Sequence, residues 1–309
     1  MASCKVRSAP ILEASIQASV SIGFGRKNRL RVRQGPPQGG CACGSGLPPR
    51  KCCQDIRGLS YRRPLEIAEL PRTGNSLRRC YLGGNSESCS TKISREHYLS
   101  ASLYRAIGGP SGKFTIRQGS TDERSLHWKT AGAKILCGDH NALLSGLDAT
   151  AERLFKYVQN VVEYRGGRSN EILRADFLIS GHDIERWLLK FFLGALHSRE
   201  AIKSEGVDLE QYRYLNRYFF DYLSGDDDFG LFVECAPGTQ FQANSHMFIY
   251  QFLYRNGSIP VGMICYIFGI KFYFFAFSDL SDERFSKCVN SVSFDFGEDT
   301  NTIWICWDR

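Results

Sequence analysis

Four cysteines fall within 13 residues, and this cluster constrains the fold more than any other feature of the chain. Two of them are separated by one residue, the other two are adjacent, and eight residues lie between the pairs. Glycines at positions 44 and 46 permit a sharp backbone turn, and four thiolates at about 2.3 Å form a tetrahedral zinc site. We therefore predict a zinc site formed by Cys41, Cys43, Cys52 and Cys53, the alternative being four unliganded, reduced thiols.

This cysteine cluster, CACGSGLPPRKCC, resembles the SEC-C motif, C-x-C-G-S-G-x-x-x-x-K-C-[CH]. The four cysteines fall on the ligand positions, and Gly44-Ser45-Gly46 and Lys51 match as well. Leu47 departs from the family, which often has Lys there, but this position does not ligate the metal. The resemblance implies a small structural zinc knuckle over residues 39–57, of the kind appended to proteins that act on nucleic acids or on other proteins.

A second group of Cys and His residues lies between positions 80 and 140. Cys137 and His140 have the two-residue spacing of a metal-ligand pair, at the start of a predicted helix. Cys80 and Cys89 could supply the other two ligands of a Cys₃His zinc site. The alternative is that both are unliganded thiols.

The dipeptide Glu96-His97 and the later run Leu136-Cys-Gly-Asp-His-Asn141 accompany these ligands. Residues 80–148 thereby resemble the HNH endonuclease superfamily, in the variant with E-H and a later L-C-x-x-[CH]-N. The resemblance implies a β-hairpin and a helix, a ββα-metal unit, that hold one catalytic metal and are braced by a structural zinc. It implies that His97 is the general base, that Glu96 is either a metal ligand or an orienting residue, and that Asn141 contacts Mg²⁺ or another divalent cation.

These residue types suit phosphodiester hydrolysis, which needs a base for water and a cation at the phosphate. A neutral histidine accepts a proton near pH 7, and Glu and Asn supply the oxygen ligands that Mg²⁺ prefers. On a regular strand, however, Glu96 points to the opposite side from His97. His97 could also be an ordinary polar histidine, and Asn141 could be a helix-surface residue.

One position departs from the superfamily pattern. The middle asparagine, about five residues before the L-C cysteine, is replaced by Gly132. Either another residue orients the base, or this variant dispenses with it, or activity is lost. Asp139 and His127 are possible substitutes.

Charge is distributed unevenly along the chain. Within the net +7, residues 1–79 carry a net +11 and the remainder a net −4. This basic region favours a nucleic-acid partner, with DNA as the first candidate and an anionic membrane as the second, because such charges give sequence-independent affinity for phosphate. The alternative is a solvated, disordered arm.

Residues 1–25 contain no apolar signal-peptide core, so we expect a cytoplasmic protein, with a transit peptide as the alternative. Residues 259–277 are apolar but contain Lys271, two glycines and a proline. A membrane span needs about 20 apolar residues with few charges, so this segment is predicted as two buried strands joined by a turn, and no membrane contact is expected.

The remaining patterns predict an α+β fold. Helical spacing indicates helices over 147–164 and 183–197, with Glu185 and Lys190 on a solvated face of the second. From residue 229 onward we predict an antiparallel sheet with a hairpin turn at Asn256-Gly257. The expected organisation is a flexible basic arm (1–38), the zinc knuckle (39–57), the HNH-like unit (75–165) and a C-terminal domain with helices and an antiparallel sheet (166–309).

The favoured function is a metal-dependent HNH-type endonuclease with structural zinc. The alternative is a zinc-stabilised nucleic-acid-binding protein without catalysis, a reading favoured by the missing asparagine. A third possibility is an adaptor that binds a protein partner through the SEC-C knuckle.

Overall fold

Three β-sheets and two long helices form the part of the chain that the computed structural model describes, and the predicted α+β class is confirmed. The described residues are 3–7, 16–23, 40–43, 45–54, 61–83, 87–97, 99–101, 103–104, 113–118, 122–130, 132–165, 176–198, 207–221, 230–234, 240–243, 248–256, 259–267, 270–277, 285–287, 289, 291–296 and 299–307.

The largest sheet has eight strands, each antiparallel to its neighbours. Two strands pair on either side of Asn256, whose φ of 51° is the left-handed conformation that the predicted hairpin turn requires. The apolar run 259–277 forms two paired strands, as predicted, with Ile267 opposite Ile270. In spatial order the strands are β13 (Phe285–Lys287), β8 (Gly230–Glu234), β12 (Ile270–Phe275), β11 (Ile259–Ile267), β10 (Phe248–Arg255), β1 (Ser3–Arg7), β4 (Lys113–Gln118) and β5 (Asp122–His127).

A second sheet of five strands takes the C-terminal end of the chain, so the single antiparallel sheet predicted after residue 229 is instead divided between two sheets. Its edge pair, β7 (Phe177–Ser180) and β15 (Asp299–Cys306), is parallel, and the other pairs are antiparallel. Sequence spacing alone does not determine which strands share a sheet. The spatial order is β7 (Phe177–Ser180), β15 (Asp299–Cys306), β14 (Ser291–Phe296), β2 (Ile16–Gly23) and β9 (Gln240–Ala243).

Two segments of the expected flexible arm are strands, which corrects that prediction. β1 lies between β10 and β4 in the large sheet, and β2 lies between β14 and β9 in the second. The sequence of β2 alternates apolar and polar residues, Ile-Gln-Ala-Ser-Val-Ser-Ile, and this period of two is typical of strands. The basic run 26–33 lies outside the described residues.

A third, two-stranded sheet precedes the first long helix. β3 (Ile93–Glu96) pairs antiparallel with β6 (Ala133–Cys137), and β6 leads directly into helix α1 (Gly138–Arg165). The helix begins nine residues before the predicted start at 147, because Gly138 follows β6 without a loop. Strands β4 and β5 are inserted between the two strands of this pair and belong to the large sheet.

The second long helix, α2 (Gly181–Ser198), is the centre of the core. Every residue from Gly181 to Leu196 is buried. The predicted solvated face with Glu185 and Lys190 is therefore wrong, because other elements cover this helix on all sides. Helix α1, β6 and strands of both larger sheets contact it.

A 3₁₀ helix, Leu209–Phe219, packs against α2, with the Asp208 side chain capping its first turn. Within the described residues, no helix is both long and apolar enough to cross a membrane.

Candidate metal centres and the adjacent polar cluster

The first candidate metal centre is the tight cysteine cluster, whose four sulfur atoms lie within 4.8 Å of one another. The Cys52 Sγ lies 3.5 Å from the Cys43 Sγ and 3.6 Å from the Cys53 Sγ. A tetrahedral zinc with bonds of about 2.3 Å places its sulfur ligands about 3.8 Å apart. The spacing of these sulfurs therefore fits a zinc ion.

The local backbone explains how so short a segment closes on itself. The Cys41 amide donates to the Leu47 carbonyl at 2.7 Å, and Gly46 adopts a positive φ of 75° within this loop. A 3₁₀ turn at Pro49–Lys51 follows, and the amides of Cys52 and Cys53 both donate to the Pro49 carbonyl.

Arg62 compensates the negative charge of this cluster. Its guanidinium lies 3.8 Å from the Cys52 Sγ and 3.9 Å from the Cys53 Sγ. Four thiolates around Zn²⁺ carry a net charge of about −2, so a nearby guanidinium stabilises the loaded site. The Ser45 hydroxyl contacts the Cys52 Sγ at 3.2 Å.

The cysteine cluster packs against the second sheet. The Leu178 amide of edge strand β7 donates to the Ala42 carbonyl at 3.0 Å, and the Arg62 amide donates to the Cys306 Sγ of β15. Leu178 and Cys306 form one buried apolar group with the cluster. The knuckle therefore covers an otherwise open strand edge.

The second candidate metal centre brings Cys80, Cys89, Cys137 and His140 together, as the sequence predicts. All four are buried, and their ligand atoms lie within 4.8 Å of one another. The His140 Nδ1 lies 3.4, 4.0 and 3.0 Å from the sulfurs of Cys80, Cys89 and Cys137 respectively. A tetrahedral zinc places sulfur and nitrogen ligands about 3.6 Å apart, so this donor set also fits zinc.

Neighbouring residues orient the ligands of this second centre. The Ser88 hydroxyl contacts the His140 Nε2 at 3.4 Å, which leaves Nδ1 directed at the sulfurs. Burial lowers the pKa of His140, so the ring is neutral at pH 7 and can ligate a metal. A Cβ at Gly83 would lie 2.2 Å from the Cys89 Sγ, so only glycine allows the chain to approach this closely.

His97 follows β3 directly. It is half-buried, and its ring centroid lies 6.1 Å from that of the buried Tyr104. The pairing of β3 with β6 is irregular here. Ser94 and Glu96 are two residues apart, but their partners Leu136 and Ala133 are three residues apart. The regular alternation that would turn Glu96 and His97 to opposite sides is thus interrupted at this point.

Glu96 lies in a buried polar cluster that the sequence did not predict. Its Oε1 is 2.6 Å from the Lys190 Nζ, which also lies 2.5 Å from the Asp148 Oδ2. The Asn141 side chain lies near enough to the Glu96 carboxylate to lower its pKa. We call Glu96, Asn141, Asp148 and Lys190 the carboxylate–lysine cluster.

The electrostatics of the carboxylate–lysine cluster reflect its burial. The side chains of Glu96 and Lys190 are 7% and 2% exposed. Burial raises the pKa of Glu96, an effect that Lys190 and Asn141 oppose. Burial alone would lower the pKa of Lys190, but Asp148 and Glu96 outweigh it and raise that pKa, so Lys190 is protonated at neutral pH.

The contacts of Glu96 determine which of its oxygens could meet a divalent cation. Lys190 takes one Glu96 oxygen, which leaves the second oxygen and the neighbouring Asn141 amide as hard oxygen donors. Mg²⁺ commonly binds through one or two protein groups and keeps several waters. Glu96 and Asn141 are therefore the residues of this cluster that would hold such an ion.

Gly132 lies at a position where the backbone leaves no room for a larger residue. A Cβ there would lie 2.9 Å from the Glu96 carbonyl oxygen, closer than real contacts allow. The suggested substitutes make other contacts: the His127 Nδ1 accepts from the Lys129 amide, and the exposed Asp139 donates its amide to the Ser90 hydroxyl.

Sequence reasoning missed the partners of Glu96. Asp148 appeared to lie near a helix start, but it lies in the third turn of α1. Lys190 carried a usable signal, because it interrupts the apolar run Trp187–Leu193, and a lone charge inside such a run indicates a buried, paired group.

Comparison of the chain with family models, curated proteins and solved structures finds no match.

Proposed function

We propose that this protein is an HNH-type endonuclease that hydrolyses phosphodiester bonds of nucleic acid, with DNA as the first substrate to test. The observation that carries the proposal is the arrangement of β3, β6 and α1. It brings the Glu96 side chain to Asn141 at the start of the helix, with His97 next to Glu96 and the second metal centre alongside. Glu96 and Asn141 are 45 positions apart in the sequence, and their proximity in the structure supports a common site.

In this proposal each residue has a separate task. Zinc in the two cysteine centres is structural, and the second centre holds the end of β6 and the start of α1 in place. Glu96 and Asn141 would hold a divalent cation, which when bound stabilises negative charge on the phosphate. The His97 imidazole takes the proton from the attacking water.

His97→Ala tests this function, because it removes the proposed base and leaves both metal centres intact. We expect at least a hundredfold loss of Mg²⁺-dependent DNA cleavage, within the usual range for a general base, with two zinc ions per chain retained. His127→Ala is the matched control, since His127 lies on β5 and its ring contacts the Lys129 amide. Full cleavage by His97→Ala would refute the assignment.

A specific observation favours a second candidate, a zinc-stabilised nucleic-acid-binding protein without catalysis. The Glu96 carboxylate is 7% exposed and already paired with Lys190, and glycine replaces the middle asparagine. This candidate predicts salt-dependent nucleic-acid binding with no cleavage in Mg²⁺ or Mn²⁺. A wild-type protein that binds DNA but cleaves it in neither metal would replace the first proposal with this one.

A third candidate rests on the knuckle, where Leu47 is 51% exposed beside the exposed Arg50 and Lys51. An adaptor that binds a protein partner there predicts that Leu47→Ser abolishes that binding while zinc content stays unchanged. Unchanged partner binding by this variant would exclude Leu47 from the interface.

A further inference from the structure

Lys190 and Asp148 surround the proposed cation ligand Glu96 without belonging to the HNH pattern. The Lys190 Nζ contacts Glu96 Oε1 at 2.6 Å and Asp148 Oδ2 at 2.5 Å. These two oxygens therefore lie within about 5 Å of each other, with a single positive charge between them. Three charges so close together, two of them almost inaccessible to water, interact strongly.

We propose that Asp148 and Lys190 set the affinity of the Glu96–Asn141 pair for a divalent cation, and that they act in opposite directions. The inference rests on the proposed function only for the position of that cation. Lys190 is a resident cation that competes for the Glu96 carboxylate and repels a second positive ion. Asp148 shares the Lys190 ammonium and balances its charge.

The locations of the two residues make this role specific. Lys190 projects from the fully buried helix α2, and its side chain is 2% exposed. Its ammonium group therefore lies beside Glu96 in the interior and not in solvent. Asp148 lies on α1 and its side chain is 24% exposed; it lies seven residues, two helical turns, after Asn141 and thus on the same helix face.

The test is Mn²⁺ binding to the full-length, zinc-loaded protein, measured from the free Mn²⁺ signal by electron paramagnetic resonance. Asp148→Asn removes the balancing charge, and we expect Mn²⁺ to bind at least about tenfold more weakly. Lys190→Met removes the competing charge, and we expect at least about tenfold tighter binding. Both values are lower bounds, because the Coulomb energy of unit charges about 5 Å apart at an effective dielectric constant of about 20 corresponds to more than about a hundredfold.

Matched controls come from the surface of α1, where Lys156 and Glu152 form an exposed pair at 2.7 Å. Glu152→Gln and Lys156→Met make equivalent charge changes and should leave Mn²⁺ affinity within about twofold of the wild type, because solvent screens them. A purely structural role of Asp148 and Lys190 would weaken binding in both variants. Opposite shifts in affinity are therefore the signature of the proposal.

Every outcome of the Mn²⁺ titration bears on the proposal. Any of three results would overturn it: both variants shift the Mn²⁺ affinity in the same direction, their shifts are no larger than those of the controls, or the wild type has no Mn²⁺ site that Glu96→Gln removes. If Lys190→Met loses zinc or fails to fold, Asp148→Asn alone decides, since Asp148 is partly exposed and unchanged affinity refutes the inference. DNA cleavage by His97→Ala is scored separately, so failure of the nuclease proposal remains distinguishable.

Discussion

The buried ion pair between Arg186 and Asp183 provides the sharpest test of how the core is held. Arg186 Nη2 donates to Asp183 Oδ1 at 2.6 Å and to the Leu65 carbonyl at 2.7 Å, while Nη1 donates to the Phe219 carbonyl. Asp183 also accepts from the Leu65 amide at 2.9 Å. This pair on α2 therefore fixes the segment that leads to Cys80 and the end of the 3₁₀ helix.

Arg186→Met keeps most of the side-chain volume and removes all three hydrogen bonds. The Asp183 and Arg186 side chains are 0% and 3% exposed, so the variant leaves an uncompensated carboxylate and two carbonyls without this donor. Breaking a buried pair in this way costs about 3–5 kcal/mol. That loss is a large part of a typical unfolding free energy of about 5–15 kcal/mol.

Urea denaturation followed by circular dichroism measures this loss. Arg213→Met is the matched control: Arg213 also pairs with an acid three residues before it, Glu210, at 2.8 Å, but this pair is exposed. We expect the control to lose less than about 1 kcal/mol. Equal losses in the two arginine variants would show that burial does not govern the value of these ion pairs.

A second variant separates the effect of the lost Arg186 contacts from that of the unpaired Asp183 charge. Asp183→Asn combined with Arg186→Met removes the uncompensated carboxylate and should recover part of the lost stability, because an unpaired buried charge is the largest component of the cost. No recovery in the double variant would assign the loss to the Leu65 and Phe219 contacts instead.

Two glycine substitutions test the second metal centre and its neighbour. Gly83→Ala places a Cβ 2.2 Å from the Cys89 Sγ, so bound zinc should fall from two ions per chain to one. The control is Gly138→Ala, whose added Cβ would have its nearest neighbour at 3.4 Å and which should keep both ions. Two zinc ions bound to the Gly83→Ala variant would contradict the site geometry. Gly132→Asn restores the residue of the HNH pattern but brings a Cβ within 2.9 Å of the Glu96 carbonyl. It should therefore lower the melting temperature without raising DNA cleavage, and a more active, equally stable variant would show that β3 can shift to accommodate asparagine.

Local signals in the sequence were sufficient for the first candidate metal centre and for the Cys137–His140 half of the second. Ligand types and spacing around Cys41–Cys53 and at Cys137–His140 predicted groups that do converge. Such predictions succeed because a short loop or a single helical turn limits how far apart its side chains can lie. The Asn256 hairpin and the strand pair within 259–277 were likewise local and were confirmed.

The tertiary structure alone decided how distant segments share sheets and charges. Residues 3–7 and 16–23 became strands because partners more than 200 residues away complete their pairing, which the composition of the expected arm could not indicate. Glu96 acquired Lys190 and Asp148 as neighbours because α2 is covered on every side. Periodicity identifies the apolar face of a helix, but only the packing of the whole chain determines whether its polar face meets water or another charge.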